Sequence, residues 1–327
     1  MFRLCAITDE IGRDLETALQ LLGEWGLRDA EIHTLWNTSI ELLTKGEVGR
    51  LEKVLADHGI RPAVLDSTVF LRCPLRGGPP PANWSKRFHS VAGSYEQHLA
   101  VLEGCLATAR RLGAPLVRIF GFWHDVPTTD DVILEIADRL RSAVALAATN
   151  GVVLALETCP HTCLAQTRPT LAVIRSVDSP WLRLLWDPSN AFRSGDTQVV
   201  DLVGEAVPYL AHVHIKGILV GETLPDGHQY VPLERGQVDY RILLGRLAAA
   251  GYSGLLSLEP HYALPRSGVE GAARESFQSL GRALAGIDPA GDRAQGADGT
   301  GTGQQHGAAG LEHAHEPPGE GLSQVHP

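Results

Sequence analysis

Residues 152–157 read VVLALE, five apolar residues followed by a carboxylate. An apolar run of this length is typical of a β-strand that is buried on both faces, as in a parallel sheet. Because an unpaired buried carboxylate is costly, an acid fixed at the end of such a strand needs a metal ion, a cation or a proton. Three later strand-like segments have the same form, namely Leu182–Trp186 before Asp187, Leu210–Val213 before His214, and Leu255–Leu258 before Glu259.

The rest of the chain alternates between short apolar segments and segments in which apolar residues recur every three or four positions. Strands are predicted at residues 2–8, 30–33, 60–65, 115–120, 152–157, 182–186, 210–214 and 255–258. A helical pattern follows each strand, including residues 199–207 after the sixth and 238–250 after the seventh. Such alternation predicts an α/β protein whose parallel strands close into a (β/α)8 TIM barrel. An open, doubly wound sheet is the alternative, but no Gly-x-Gly-x-x-Gly motif follows the first strand.

Two long segments without periodicity interrupt this pattern, at residues 68–98 and 217–236. Long loops inside a compact domain are usually functional, so we expect these two to determine substrate specificity. The end of the chain is rich in Gly, Ala, Gln, His and Pro and is nearly free of large apolar residues, which is typical of disorder. We therefore predict a single barrel domain over residues 1–286 and a disordered tail over residues 287–327.

Charge and cysteine content restrict the classes of function. The chain has 28 Lys and Arg against 38 Asp and Glu, for a net charge of -10, which argues against nucleic acid as a partner. No apolar segment is long enough to span a membrane and no signal peptide is recognisable, so we expect a cytoplasmic protein without a membrane partner. The five cysteines form no Cys-x-x-Cys motif, which predicts free thiols. The sequence leaves open whether the chain forms a homo-oligomer.

In a closed α/β barrel the carboxyl ends of the strands face one mouth, where such enzymes keep their catalytic groups. Glu157, Asp187, His214 and Glu259 are therefore expected to converge. Three carboxylates and one imidazole suit one divalent ion such as Mn²⁺, Mg²⁺, Co²⁺ or Zn²⁺. Lys216 follows His214 by two residues and so lies on the same strand face, where it could neutralise a developing enediolate or hold a phosphate or carboxylate.

Four short motifs follow one another at the strand ends. They are LETCPH at 156–161, WDPSN at 186–190, HVHIK at 212–216 and LEPH at 258–261. In this order they resemble the sugar phosphate isomerase/epimerase family with the xylose-isomerase-like TIM barrel, and the resemblance spans residues 2–285.

The resemblance implies that Glu157, Asp187, His214 and Glu259 hold one divalent metal ion, for which Mn²⁺ is our first expectation. It further implies that Glu157 and Glu259 are the catalytic proton-transfer pair. The implied reaction is proton abstraction alpha to a carbonyl, with the metal polarising the substrate oxygens and stabilising an enediolate. The implied function is an isomerase or epimerase of a small carbohydrate-like substrate, which is a sugar, a keto-acid or an inositol-like polyol.

Three alternatives remain open at this point. A metal-dependent dehydratase or lyase is the nearest, because elimination of a β-hydroxyl group begins with the same proton abstraction. An apurinic endonuclease shares the barrel but requires a basic groove, which the acidic charge disfavours. A non-catalytic sugar-binding protein is disfavoured by the intact side chains at all four strand ends.

Besides Lys216, two residues near the predicted acids are candidates for substrate contact. His161 lies just beyond Glu157 and could contact substrate, although a loop histidine bonded to backbone is an equal interpretation. Asn190 stands where many relatives have a histidine, so we expect the substrate contact at this position to differ from theirs.

Two further candidates for substrate contact lie on earlier strands. Glu31 ends the second strand and is expected to bind sugar hydroxyl groups. Asp66 ends the third strand and is expected to pair instead with Arg118, which requires a counter-charge if it points inward. Trp123 follows the fourth strand and is expected to form a wall of the pocket.

Overall fold

A computed structural model describes residues 2–82, 89–124, 126–287 and 323–324, and a ring of parallel strands forms its centre. The strands of the ring are β1 (Arg3–Ala6), β2 (Asp29–Ile32), β3 (Arg61–Leu65), β4 (Leu116–Ile119), β5 (Val153–Glu157), β6 (Leu182–Trp186), β7 (Leu210–Ile215) and β8 (Leu255–Leu258). From β2 to β8 each strand pairs with the next in chain order, and β8 pairs with β1. A single parallel bridge between Ile7 and Glu31 links the two remaining edges. The predicted TIM barrel is confirmed.

Helices connect successive strands. They are α1 (Thr8–Ile11), α2 (Leu15–Glu24), α3 (Lys45–His58), α4 (Tyr95–Leu112), α5 (Asp130–Asn150), α6 (Thr167–Val177), α7 (Pro188–Arg193), α8 (Val203–Ala206), α9 (Tyr240–Ala249) and α10 (Gly268–Ala285). Local signals set their limits: α4 begins with a capping box between Ser94 and Gln97 and ends at Gly113 in the left-handed conformation. The capping box starts α4 before its first periodic apolar residue, Leu99.

The structure differs from the sequence-based prediction in two connecting segments. The helix expected at residues 199–207 is reduced to α8 with a 3₁₀ turn on either side, and Pro208 supplies no backbone N–H to continue α8 beyond its C-terminal end. The segment expected to be a loop at residues 217–236 contains an antiparallel pair of strands, Gly217–Val220 with His228–Val231. Ile218 and Tyr230 are buried, so core packing explains this pair.

The interior of the barrel is apolar at one end and ionic at the other. Cys5, Ala63, Val64, Leu116 and Leu255 form an apolar cluster in the half of the barrel where most of the strands begin. The opposite end buries charged and polar side chains at the strand ends, and they are Glu31, Asp66, Arg118, Glu157, Asp187, His214, Lys216 and Glu259. The candidate site therefore lies at the carboxyl ends of the strands, on an apolar floor.

Some predictions concern residues at the limits of the described ranges. Most of the tail predicted to be disordered, and residues 83–88 of the first long loop, lie outside the described residues. The described dipeptide Ser323–Gln324 pairs antiparallel with Tyr262–Ala263.

Within the described ranges no helix combines the length and apolarity needed to cross a membrane. All five cysteines lie in the described ranges and are buried there, and none of them forms a disulfide bond.

Candidate metal and catalytic site

The four side chains predicted from the strand ends meet at the mouth of the barrel. His214 Nδ1 lies 3.1 Å from Glu259 Oε2, 3.8 Å from Glu157 Oε1 and 3.9 Å from Asp187 Oδ2. Glu157, Asp187 and His214 each offer a potential ligand atom within 4.8 Å of the others. Glu259 joins this group through its contact with His214. The structure thus brings all four residues to one centre.

Glu157 and Asp187 each direct one oxygen to this centre, while a neighbouring group holds the other oxygen. Glu157 Oε2 lies 3.1 Å from Arg118 Nη1, and Arg118 Nε lies 2.6 Å from Asp66 Oδ1, so Asp66 is a partner of Arg118 as predicted. Asp187 is the N-cap of α7, and its Oδ1 accepts the Asn190 N–H at 2.8 Å. Glu157 Oε1 and Asp187 Oδ2 are the oxygens that face His214.

In His214 and Glu259, too, an outer partner holds one polar atom of the side chain and leaves the other to face the centre. His214 Nε2 lies 3.1 Å from Glu31 Oε1, while Glu31 Oε2 lies 2.9 Å from His212 Nε2. The Nδ1 atom of His214 is therefore the one that faces the centre. Glu259 Oε1 lies 2.9 Å from His261 Nε2, which leaves Oε2 to face His214. Metal sites typically orient their ligands through such outer contacts.

Lys216 is buried beside this centre. Its Nζ lies 2.6 Å from Asp187 Oδ2 and 2.7 Å from Glu259 Oε2. Burial alone would lower the pKa of Lys216, but Asp187 and Glu259 outweigh it and raise the pKa well above its usual value. The side chain is therefore a fixed ammonium group in the wall of the pocket.

The two predicted proton-transfer acids have pKa values shifted in opposite directions. Burial raises the pKa of Glu157, and the nearby Arg118 only partly offsets this effect. Burial would raise the pKa of Glu259 too, but Lys216, His261 and His214 together hold it well below its usual value. Two carboxyl groups whose surroundings separate their pKa values are suited to act as an acid and a base.

The centre opens into a pocket that Lys216, His161 and Asn190 all line. His161 is stacked on Trp123, with ring centroids 6.3 Å apart. Burial lowers the pKa of His161 to about 4, helped by Arg193, His228 and Lys216, so its imidazole is neutral near neutral pH. The side chain of Asn190 donates to Glu157 Oε1 at 3.2 Å, which links this candidate substrate contact to a candidate catalytic acid.

The structure does not place the other two candidates for substrate contact in the pocket wall. Glu31 is fully buried between His212 and His214, so the expected contact with sugar hydroxyl groups does not fit this geometry. The reason is that the end of β2 turns the carboxylate into the barrel, where two imidazoles satisfy it. Trp123 lies behind His161 and supports the wall rather than forming it.

Other pocket residues were not singled out from the sequence, among them Glu10, Tyr230 and His261. His261 lies in the LEPH motif and could have been found there. Glu10 gave no usable signal, because its hydrogen bonds to His261 join positions that are 251 residues apart.

The donor set at the centre fits a divalent metal ion. Asp187 Oδ2 and His214 Nδ1 are buried, and neither makes a hydrogen bond of normal geometry within the part of the chain that the structure describes. Both form ion pairs with charged neighbours, Asp187 Oδ2 with Lys216 Nζ at 2.6 Å and His214 Nδ1 with Glu259 Oε2 at 3.1 Å. Carboxylate oxygens with one imidazole suit Mn²⁺, Mg²⁺, Co²⁺ or Zn²⁺ better than an ion that prefers thiolates.

Comparison with known proteins identifies the family. A family sequence profile described as a xylose isomerase-like TIM barrel matches residues 19–283. The chain belongs to this family. A search of curated proteins finds no sequence that matches this chain.

Solved structures share the fold at low sequence identity. The IolI protein with a bound zinc atom is 19% identical, with a TM-score of 0.67, over 87% of this chain and 98% of that chain. An L-ribulose 3-epimerase is 18% identical, with a TM-score of 0.64, over 87% of this chain and 95% of that one. The probable 3-DHS dehydratase AsbF from Bacillus anthracis is 17% identical, with a TM-score of 0.63, over 86% of this chain and 99% of that one. The structural neighbours of this chain thus include an epimerase and a probable dehydratase.

Proposed function

We propose that the protein is a divalent-metal-dependent isomerase or epimerase of a small sugar, keto-acid or polyol. The observation that carries this proposal is the convergence of Glu157, Asp187, Glu259 and His214 at one centre, with the Nδ1 atom of His214 within 3.9 Å of all three carboxylates. Family membership and the likeness to an L-ribulose 3-epimerase support it.

In this proposal the four side chains hold one metal ion, with Mn²⁺ as the first choice and Mg²⁺, Co²⁺ or Zn²⁺ as the others. The ion would polarise the carbonyl and hydroxyl oxygens of the substrate and stabilise an enediolate. Glu259, which its neighbours keep ionised, takes a proton from the carbon next to the carbonyl group. Glu157 approaches from β5, which two strands of the ring separate from β8, and returns a proton.

Three pocket residues bind the substrate in this proposal. Lys216 supplies a fixed positive charge to an oxyanion or an anionic substituent. His161 offers a neutral imidazole at the pocket wall, and Asn190 connects the substrate to Glu157 through its side-chain amide.

A dehydratase or lyase is the second candidate. Glu157 lies in the pocket, and burial raises its pKa, so it is a proton donor of the kind that a departing hydroxyl group requires. The likeness to the probable dehydratase AsbF also favours this candidate. Both reactions start with the same proton abstraction, so the fate of the β-hydroxyl group distinguishes them.

The test is deuterium incorporation from D₂O into a panel of ketoses and keto-acids, followed by NMR with the Mn²⁺-loaded protein. Exchange without loss of water supports the isomerase or epimerase, and exchange with loss of water supports the lyase. Glu157→Gln and Glu259→Gln should each abolish turnover under saturating Mn²⁺, whereas Glu205→Gln, at a side chain that is 40% exposed and pairs with Arg168, should match the wild type. Absence of exchange with every substrate of the panel, or full turnover in both site variants, contradicts the proposal.

A further inference from the structure

A row of contacts leads from α1 to the proposed metal ligand Glu259. Glu10 Oε1 lies 3.0 Å from His261 Nδ1, and Glu10 Oε2 accepts the backbone N–H of His261 at 3.0 Å. His261 Nε2 in turn lies 2.9 Å from Glu259 Oε1. His261 and Glu259 are only 3% and 4% exposed. The imidazole is thus held between two carboxylates, one from α1 and one at the end of β8.

The backbone of His261 is held in an uncommon conformation. Its φ of 58° lies in the left-handed region, which non-glycine residues seldom adopt. The two hydrogen bonds that Glu10 accepts from His261 hold it there, and the imidazole packs against Tyr230 with ring centroids 4.8 Å apart. Backbone strain that the surroundings maintain is often found at functional sites.

The contact with His261 decides which oxygen of Glu259 is available to the centre. Because Oε1 is taken by His261, Oε2 is the oxygen that lies 3.1 Å from His214 Nδ1 and 2.7 Å from Lys216 Nζ. A free carboxylate could rotate and present either oxygen or both. This carboxylate is fixed with one oxygen facing inward.

We propose that Glu10 and His261 are positioning residues that fix the orientation of Glu259 for metal binding. Glu10 sets the position of the imidazole, and the imidazole sets the rotation of the carboxylate. Outer partners of this kind typically contribute about 10- to 100-fold to metal affinity. The inference rests on the proposed metal site and assigns roles to two residues outside the four ligands.

The neighbouring acid of α1 provides a matched control. Asp9 Oδ2 lies 2.8 Å from His33 Nδ1, so Asp9 binds an imidazole just as Glu10 does. The difference is that His261, the partner of Glu10, contacts the proposed metal ligand Glu259, whereas the partner of Asp9 is His33. Asp9→Asn and Glu10→Gln therefore remove one negative charge from the same helix with different expected results.

The experiment is titration calorimetry of the full-length protein with MnCl₂, alongside the melting temperature of each variant without metal. His261→Phe should weaken Mn²⁺ binding about 10- to 100-fold, and Glu10→Gln should weaken it in the same direction. His261→Gln should recover part of the loss, because its side-chain amide can still donate to Glu259 Oε1. Asp9→Asn should bind Mn²⁺ as the wild type does.

The outcomes separate this inference from the proposed function. Wild-type affinity in His261→Phe and Glu10→Gln overturns the positioning role and leaves the metal site intact. Equal losses in Asp9→Asn and Glu10→Gln also overturn it, because the effect would then follow charge alone. If His261→Phe does not fold, Glu10→Gln and His261→Gln decide. A wild-type protein that binds no divalent ion overturns the metal site and this inference together.

Discussion

Replacing Arg118 by methionine should destabilise the protein strongly, because two buried carboxylates would lose the cation they share. Arg118 Nε lies 2.6 Å from Asp66 Oδ1, and Nη1 lies 3.1 Å from Glu157 Oε2. The three side chains are between 1% and 5% exposed. Methionine keeps much of the apolar volume of the arginine stem, so the change is mainly one of charge.

The magnitude follows from this burial. Removing one partner of a buried ion pair costs about 3–5 kcal/mol, because the remaining charge is left uncompensated. Burial already raises the pKa of Asp66 and of Glu157, even with Arg118 present. Without Arg118 both acids can take up protons and limit the loss, so we expect the lower half of this range. Asp66→Asn added to Arg118→Met should recover part of the stability by removing one of the two acids.

The assay is urea unfolding followed by circular dichroism, at neutral pH and in the presence of EDTA. Arg168→Met is the matched control, since Arg168 pairs with Glu205 at 2.8 Å but the two side chains are 69% and 40% exposed. An exposed pair of this kind contributes about 0–1 kcal/mol. The reasoning is refuted if Arg118→Met costs no more than Arg168→Met, or if the double variant is less stable than Arg118→Met alone.

Three further predictions concern other parts of the molecule. Burial lowers the pKa of His98 from 6.5 to about 4, so between these values the unfolded chain binds a proton that the folded chain excludes. The free energy of unfolding should therefore fall by up to about 3 kcal/mol as the pH drops through this window. In His98→Asn the amide oxygen can still accept the Phe70 N–H, and the dependence of the unfolding free energy on pH should be weaker. Gly217→Ala places a Cβ 2.3 Å from Val231 O and should cost about 1–3 kcal/mol in urea unfolding, whereas Gly104→Ala meets no neighbour within 4 Å and should gain about 0.5–1 kcal/mol. Removal of bound Mn²⁺ by EDTA should lower the thermal midpoint, since an ion at about 100 times its Kd adds about 2.7 kcal/mol; an unchanged midpoint would contradict the metal site.

The barrel and its four strand-end side chains could be predicted because both depend on local sequence. Buried parallel strands are continuous apolar runs, and a polar residue that directly follows such a run is placed at the carboxyl end of the sheet. The parallel arrangement then brings Glu157, Asp187, His214 and Glu259 to one mouth without any knowledge of their contacts.

The contacts that orient these side chains could not be predicted, because they join distant positions and carry no periodic pattern. Glu31 meets His214 across 183 positions and Glu10 meets His261 across 251 positions. The sequence shows that Glu31 ends a strand, but the direction of its side chain depends on the irregular register between Ala30 and Glu31 against β3. This is why Glu31 was expected in the pocket and lies beneath it.

The surroundings of the two proton-transfer acids also suggest a direction for the chemistry. Glu259 is contacted by nitrogen groups of Lys216, His214 and His261, whereas Glu157 has Arg118 and an amide as its nearest polar neighbours.

A bound cation would lower the pKa of both acids. Their order would persist, because Lys216 and His261, which lower the pKa of Glu259, are not among the proposed metal ligands, although His214 would lose its Nδ1 proton on binding the ion. Glu259 is then the stronger candidate for the base that takes the first proton, and Glu157 for the acid that returns one. Since β5 and β8 are separated by two strands of the ring, the proposed removal and return would take place from different sides of the pocket. An arrangement with the two acids on different sides favours inversion at one carbon, so we expect epimerisation to be faster than aldose–ketose isomerisation with any substrate that permits both.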